Sequence, residues 1–136
     1  MTKKVDLNKY ADFVDGVTSN PSKDYKSFLD ALEYLDGEGS NIHRLLTAAV
    51  GINAEGGEFM EIVKKMVFQG KPWNDDNRKH LTIELGDVMW YVMQACMALE
   101  IPLDEVIAGN VEKLKKRYPG GEFNVYQSEN RAEGDL

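Results

Sequence analysis

The chain has 136 residues, 43% of them hydrophobic, and a formal net charge of −7. That length supports one domain, because one core of useful size can be buried whereas two would each be too small. The acidic balance excludes a protein that coats nucleic acid, since such binding takes many Lys and Arg contacts to phosphate.

Strand signals are nearly absent and apolar positions recur at spacings of three and four, which predicts an all-α fold. Leu7–Val14 and Tyr25–Leu35 read as short amphipathic helices, parted by a turn at Ser19-Asn20-Pro21-Ser22 and ended by Gly37 and Gly39. Residues 1–39 are thus expected to form an N-terminal helical appendage. From Ser40 as N-cap, Ile42, Leu45, Leu46, Ala49, Ile52, Phe59, Ile62, Val63 and Met66 trace one stripe to Gln69-Gly70, the first long helix. Lys71-Pro72-Trp73-Asn74 makes a loop. Asn74 or Asp75 then caps a second long helix carrying Leu81, Leu85, Val88, Met89, Val92, Cys96 and Leu99, with Pro102 beyond its end. A third helix runs from Leu103 to Tyr118 and is closed by Pro119-Gly120-Gly121. Residues 40–119 form the expected core, and 120–136 a polar tail, mobile or ordered only against a partner subunit.

Cys96, the single cysteine, excludes an internal disulfide framework and reads as a buried thiol in a reducing compartment. No apolar run is long enough to span a membrane, and no apolar stretch follows the lysines at the start. The expectation is a cytoplasmic protein with no membrane and no nucleic-acid partner.

Four carboxylates carry the chemistry. On a helical wheel Glu55 lies within the stripe of Phe59, Ile62 and Met66, with Glu58 at its border. Glu84 borders the stripe of the second helix, and Asp87 is one step beyond. The segments Glu55-Gly56-Gly57-Glu58 and Glu84-Leu85-Gly86-Asp87 resemble each other, an acid pair spaced by three with glycine before the second acid. Carboxylates facing a core are costly and repel one another, so their placement calls for cations. Oxygen donors without histidine or thiolate select Mg²⁺, with Mn²⁺ as substitute, over Zn²⁺. Mid-helix Gly56, Gly57 and Gly86 each cost about 1 kcal/mol against alanine, which close backbone approach or room for a ligand would explain. A chain with 23 acids also yields such pairs by chance, as in Asp12/Asp15 and Asp30/Glu33, and the alternative is a solvated helix face. Glu61 is either a further ligand or a solvated residue.

These residues resemble the MazG-like branch of the all-α nucleoside triphosphate pyrophosphohydrolases, marked by Glu-x-x-Glu on one helix and Glu-x-x-Asp on the next. Glu61-Ile62-Val63-Lys64-Lys65 and the run from Asn110 to Pro119 are similar to it as well, and the resemblance covers about residues 42 to 122. The compact form with Phe68-Gln69-Gly70-Lys71-Pro72-Trp73 between the helices resembles the phage-borne members. Alanine is common in the family near Gly56 or Gly57, so the double glycine is a departure, with a kink or π-bulge expected there. The resemblance implies a helical bundle completed by dimerisation, as a homodimer or homotetramer, and the three core helices do leave apolar faces to cover.

It also implies Mg²⁺-dependent hydrolysis of (deoxy)nucleoside triphosphates to nucleoside monophosphate and pyrophosphate. Glu55, Glu58, Glu84 and Asp87 would hold the ions, and Glu58 would also orient or deprotonate the water. A triphosphate brings about four negative charges to a site already holding four carboxylates, so binding without divalent ions would be repulsive. Lys113 and Arg117 share a helix face with Asn110 one turn earlier, and the Lys-x-x-x-Arg spacing matches the family's phosphate-binding helix. Tyr118 either lines the nucleotide pocket or covers the core. Lys115 and Lys116 read as cations favourable at a helix C-terminus. Trp73, Trp90 and Tyr91 either stack a base or pack a core or subunit interface. His43 and His80 make no Glu-x-x-His motif, and a helix-surface role or an outer position around the metal suits each. The competing readings are a non-catalytic helical interaction protein and a related pyrophosphatase of dUTPase or phosphoribosyl-ATP type.

Overall fold

The computed structural model describes residues 2–135, which fold into seven helices with no strand among them. The all-α expectation holds. Two compact units divide the chain, residues 1–43 and 44–136.

The first unit holds α1 (Leu7–Gly16), α2 (Asn20–Lys23) and α3 (Tyr25–Gly37). Asp6 caps α1 by accepting from the amides of Asn8 and Lys9, and Asp24 caps α3 by accepting from Ser27 N–H. Each satisfies donors that the first helical turn leaves unpaired. The Ser19–Ser22 turn is in fact the start of α2, because Pro21 in the first turn has the φ a helix needs and lacks only an N–H that would go unused. Lys23 Nζ ties α2 to the end of α1, 2.9 Å from the Asp15 carbonyl and 3.1 Å from its carboxylate.

α4 (Ile42–Phe68) begins two residues after Ser40. Ser40 is not its N-cap: the hydroxyl donates to the Leu35 carbonyl at 2.7 Å and closes the end of α3 instead. α4 runs as unbroken α-helix through Gly56 and Gly57, so no π-bulge interrupts it there. The flanking turns supply enough hydrogen bonds to carry two glycines in a helix of 27 residues. Gly70, at φ 69°, ends it, and Lys71 N–H reaches the Lys65 carbonyl at 3.1 Å, a closure that needs a left-handed residue.

Asn74 caps α5 (Asp75–Leu99), its side chain accepting from Asn77 N–H at 2.9 Å. The far end closes as α4 does, with Ile101 N–H on the Cys96 carbonyl at 3.1 Å, but the left-handed residue is Glu100, at φ 54°. A side chain there costs about 1 kcal/mol that glycine avoids. Glu100→Gly should therefore stabilise the protein by about 1 kcal/mol, read as a Tm higher by a few degrees in a thermal melt. α6 (Leu103–Arg117) follows Pro102, and the tail folds a further short helix, α7 (Val125–Glu129), capped by Asn124.

α4 and α5 run antiparallel. Going along α4 from Arg44 to Gly51 to Glu55, the neighbours on α5 run backwards from Met97 to Tyr91 to Asp87 and Glu84. Gly51 is buried against the Tyr91 ring, and any Cβ there would overlap the ring's Cγ, Cδ1 and Cε1 atoms. Close approach of the helices therefore falls at Gly51. At Gly56, Gly57 and Gly86 a Cβ would meet nothing, so close backbone approach does not explain those glycines.

Among the described residues the buried apolar side chains are Ala48, Ile62 and Cys96. Leu85, Met89 and Leu99, expected in the core, are exposed. The reason is the make-up of α5: Ile83, Leu85, Met89, Trp90 and Met93 are all exposed, so α5 carries apolar residues around much of its circumference while α4 covers one side.

Candidate metal centre

The carboxylate cluster is placed by the α4–α5 pairing. Glu55 lies four residues beyond Gly51 on the same face of α4, so the close approach at Gly51 brings Glu55 onto α5. There it meets Glu84 and Asp87, which lie three apart and so on one face of α5. One oxygen from each of the three carboxylates falls within 4.8 Å of the others. The all-oxygen donor set suits Mg²⁺ or Mn²⁺ rather than Zn²⁺.

The four acids are not equivalent. Glu55 and Glu84 are half-buried and Asp87 is exposed. Glu58 is exposed and outside the group of three; it reaches Glu55 only through its charge. Glu61 pairs with Lys65 at 2.7 Å along α4, which holds its carboxyl below the usual range and places it in a solvated helix pair. His80 Nε2 lies 3.0 Å from Glu84 Oε1 one turn away on α5. That contact orients the Glu84 carboxyl group.

Burial raises the Glu55 carboxyl above the ordinary value, and the charges of Asp87 and Glu84, a hydrogen bond with Glu84 and the charge of Glu58 raise it further. Between the ordinary and the raised value the folded state holds a proton that the unfolded chain has released. Stability from this group is thus present on the acid side and is lost as pH rises through the raised value. A divalent cation bound at this carboxylate would replace that proton. The gain in Tm on adding Mg²⁺ should grow as pH rises across this window; an equal gain at acid and neutral pH would contradict the assignment.

The residues expected to hold phosphate lie on and just beyond α6. Asn110 is exposed and Lys113 half-exposed, while Arg117 is 12% exposed and engaged. Its Nε and Nη2 each donate to the Asp135 carboxylate at 2.7 Å. The tail expected to be mobile is therefore tied to α6 at this point. Tyr118 ends α6 half-buried, its ring 5.9 Å from that of Phe123. Trp73 and Trp90 are exposed, and Trp90 meets Tyr91 edge-on at 4.9 Å.

Sequence reasoning passed over Gly51 and Asp135. A glycine inside an apolar helical stripe was a signal for the first. Asp135 gave none, because its partner is 18 positions away.

Residues 44–121 match the MazG nucleotide pyrophosphohydrolase domain. The chain belongs to the MazG nucleotide pyrophosphohydrolase family, whose members in general depend on divalent metal. It is similar to the Gene 37 protein of Mycobacterium phage L5, 37% identical over 87 residues, which is 62% of this chain and 75% of that protein. That relative supports a place among phage-borne members. No solved structure matches the chain. Among the described residues no helix is long and apolar enough to cross a membrane.

Proposed function

We propose that the chain hydrolyses (deoxy)nucleoside triphosphates to nucleoside monophosphate and pyrophosphate, with Mg²⁺ held by Glu55, Glu84 and Asp87 and by Glu58 at the margin. The observation that carries this is the meeting of Glu55, Glu84 and Asp87 across two helices within 4.8 Å. Bound Mg²⁺ supplies charge neutralisation on the phosphates and a lowered pKa for an attacking water, with Mn²⁺ as substitute. Glu58, exposed and one helical turn from Glu55, has room to orient that water and accept its proton. Arg117 and Lys113 hold phosphate oxygens, Arg117 with its planar fork and Lys113 as a point charge. Asn110 and Tyr118 extend that face toward the rest of the nucleotide.

The active form is a homo-oligomer, dimer or tetramer. The chain exposes 11275 Å², whereas two separately compact units of the observed lengths would expose about 8,500 Å² together. The excess includes the Leu85, Met89 and Met93 side of α5, an apolar surface of the kind subunit interfaces cover. Light scattering in solution should give at least twice the chain mass of 15.3 kDa.

Calorimetry with Mg²⁺ and a non-hydrolysable triphosphate tests the function directly. Saturable, Mg²⁺-dependent binding is the expected result, and activity across ribo- and deoxynucleoside triphosphates then ranks base and sugar preference, dUTP and phosphoribosyl-ATP included. No binding under any metal condition would leave a helical interaction protein as the reading.

A further inference from the structure

Arg117 and Asp135 form the most enclosed ion pair among the described residues, their side chains 12% and 9% exposed. Two parallel N–H donors of Arg117 meet the two carboxylate oxygens at 2.7 Å each. That fork is the one arginine uses for a phosphate as readily as for a carboxylate. Lys113 Nζ stands 3.7 Å from the same Oδ1 atom. The two cations assigned to phosphate thus already share one oxyanion, supplied by the chain itself.

A local turn delivers the carboxylate. Asp135 N–H bonds the Ala132 carbonyl at 3.0 Å, and Gly134, at φ 83°, makes the turn between them. The turn lies over α6 and leaves a cavity of about 300 Å³ lined by Gly109, Glu112, Lys113, Lys116 and residues 132–135. Among the described residues the Asp135 carboxylate ties the turn to α6, through Arg117 and Lys113. The hydrogen bond and charge of Arg117, with the charges of Lys113 and Arg131, hold that carboxyl below its usual range, so it is ionised at neutral pH.

We propose that Asp135 is an internal competitor for the Arg117–Lys113 anion seat, a carboxylate that occupies the place of a phosphate group and leaves when nucleotide binds. The idea rests on the phosphate role given to Arg117 and Lys113 above. Its consequence is a tax on affinity: only the fraction of molecules with the turn undocked accepts the triphosphate, and the apparent constant is weakened by that fraction. The chemical step is untouched.

The test uses the full chain with Mg²⁺. Asp135→Asn keeps the shape and removes the charge, and should lower KM for the preferred triphosphate about three- to tenfold with kcat unchanged. Asp135→Glu, which restores the charge, should bring KM back toward that of the unaltered chain. In a second arm, inorganic pyrophosphate added to the unaltered chain should speed amide hydrogen exchange in residues 131–135. An unchanged or higher KM in Asp135→Asn, or slower or unchanged tail exchange with pyrophosphate, overturns the proposal and leaves the pair a structural tie. If the unaltered chain hydrolyses no triphosphate, the proposed function fails instead, and the exchange arm still decides whether an anion displaces Asp135.

Discussion

Glu55→Gln should lose at least about a hundredfold in Mg²⁺-dependent pyrophosphate release while the metal-free protein melts no lower than before. Residues one layer out from a metal are worth about 10–100-fold on their own, so loss of a direct ligand should exceed that range. The stability half of the expectation follows from the raised Glu55 carboxyl, which shows that its ionised form is disfavoured without a cation. Glutamine keeps the shape and removes the repulsion with Glu84 and Asp87. The Tm gain on adding Mg²⁺ should shrink in the variant. Glu58→Gln is the informative companion: it should lose pyrophosphate release yet keep more of the Mg²⁺-induced Tm gain, because Glu58 stands outside the group of three. Full activity in both variants would remove these carboxylates from the chemistry.

Gly51→Ala should destabilise the fold by about 1–3 kcal/mol, the usual cost of forcing an extra carbon into a filled contact. The added Cβ overlaps Tyr91 at Cγ, next to the ring's attachment, so turning the ring about its own axis does not relieve it. Either Tyr91 changes rotamer or α4 and α5 separate. Separation acts one turn away on Glu55, so Mg²⁺ affinity should fall together with Tm. Tyr91→Ala in the Gly51→Ala background should recover much of the Mg²⁺ affinity, and a double-mutant cycle would measure the coupling between the two positions. Loss of Tm with unchanged Mg²⁺ affinity would show that the approach at Gly51 does not set the metal centre.

Helix periodicity made α4, α5 and α6 legible to within a residue or two, because each carries an apolar repeat with a capping residue or proline beside it. The Asn74 cap and the Pro102 boundary are local chemistry, readable without a partner. Ser40 misled because a serine after a helix serves the preceding carbonyl as well as the following amides, and only the distance to Leu35 separates the two. Glu55, Glu84 and Asp87 were legible as a set since their placement on two stripes implies that they face one another. The differences among the four acids were less so. Whether Glu58 joins the group depends on how the helices are rotated about their axes, and one residue of spacing leaves that open. The depth of the core was misjudged at Leu85 and Met89, where an apolar residue on a helix does not reveal whether its cover comes from the same chain. Asp135 lies in a polar tail and acquires meaning only from Arg117, a long-range pairing with no periodic trace.

Water attack at the α-phosphorus beside the Glu55, Glu84 and Asp87 cluster is tested most directly by product analysis in ¹⁸O-labelled water. The expected result is nucleoside monophosphate and pyrophosphate in equal amounts, one ¹⁸O atom in the monophosphate, and no reaction after chelation of divalent ions. Orthophosphate as the first product, the label in pyrophosphate, or turnover that survives chelation would contradict it.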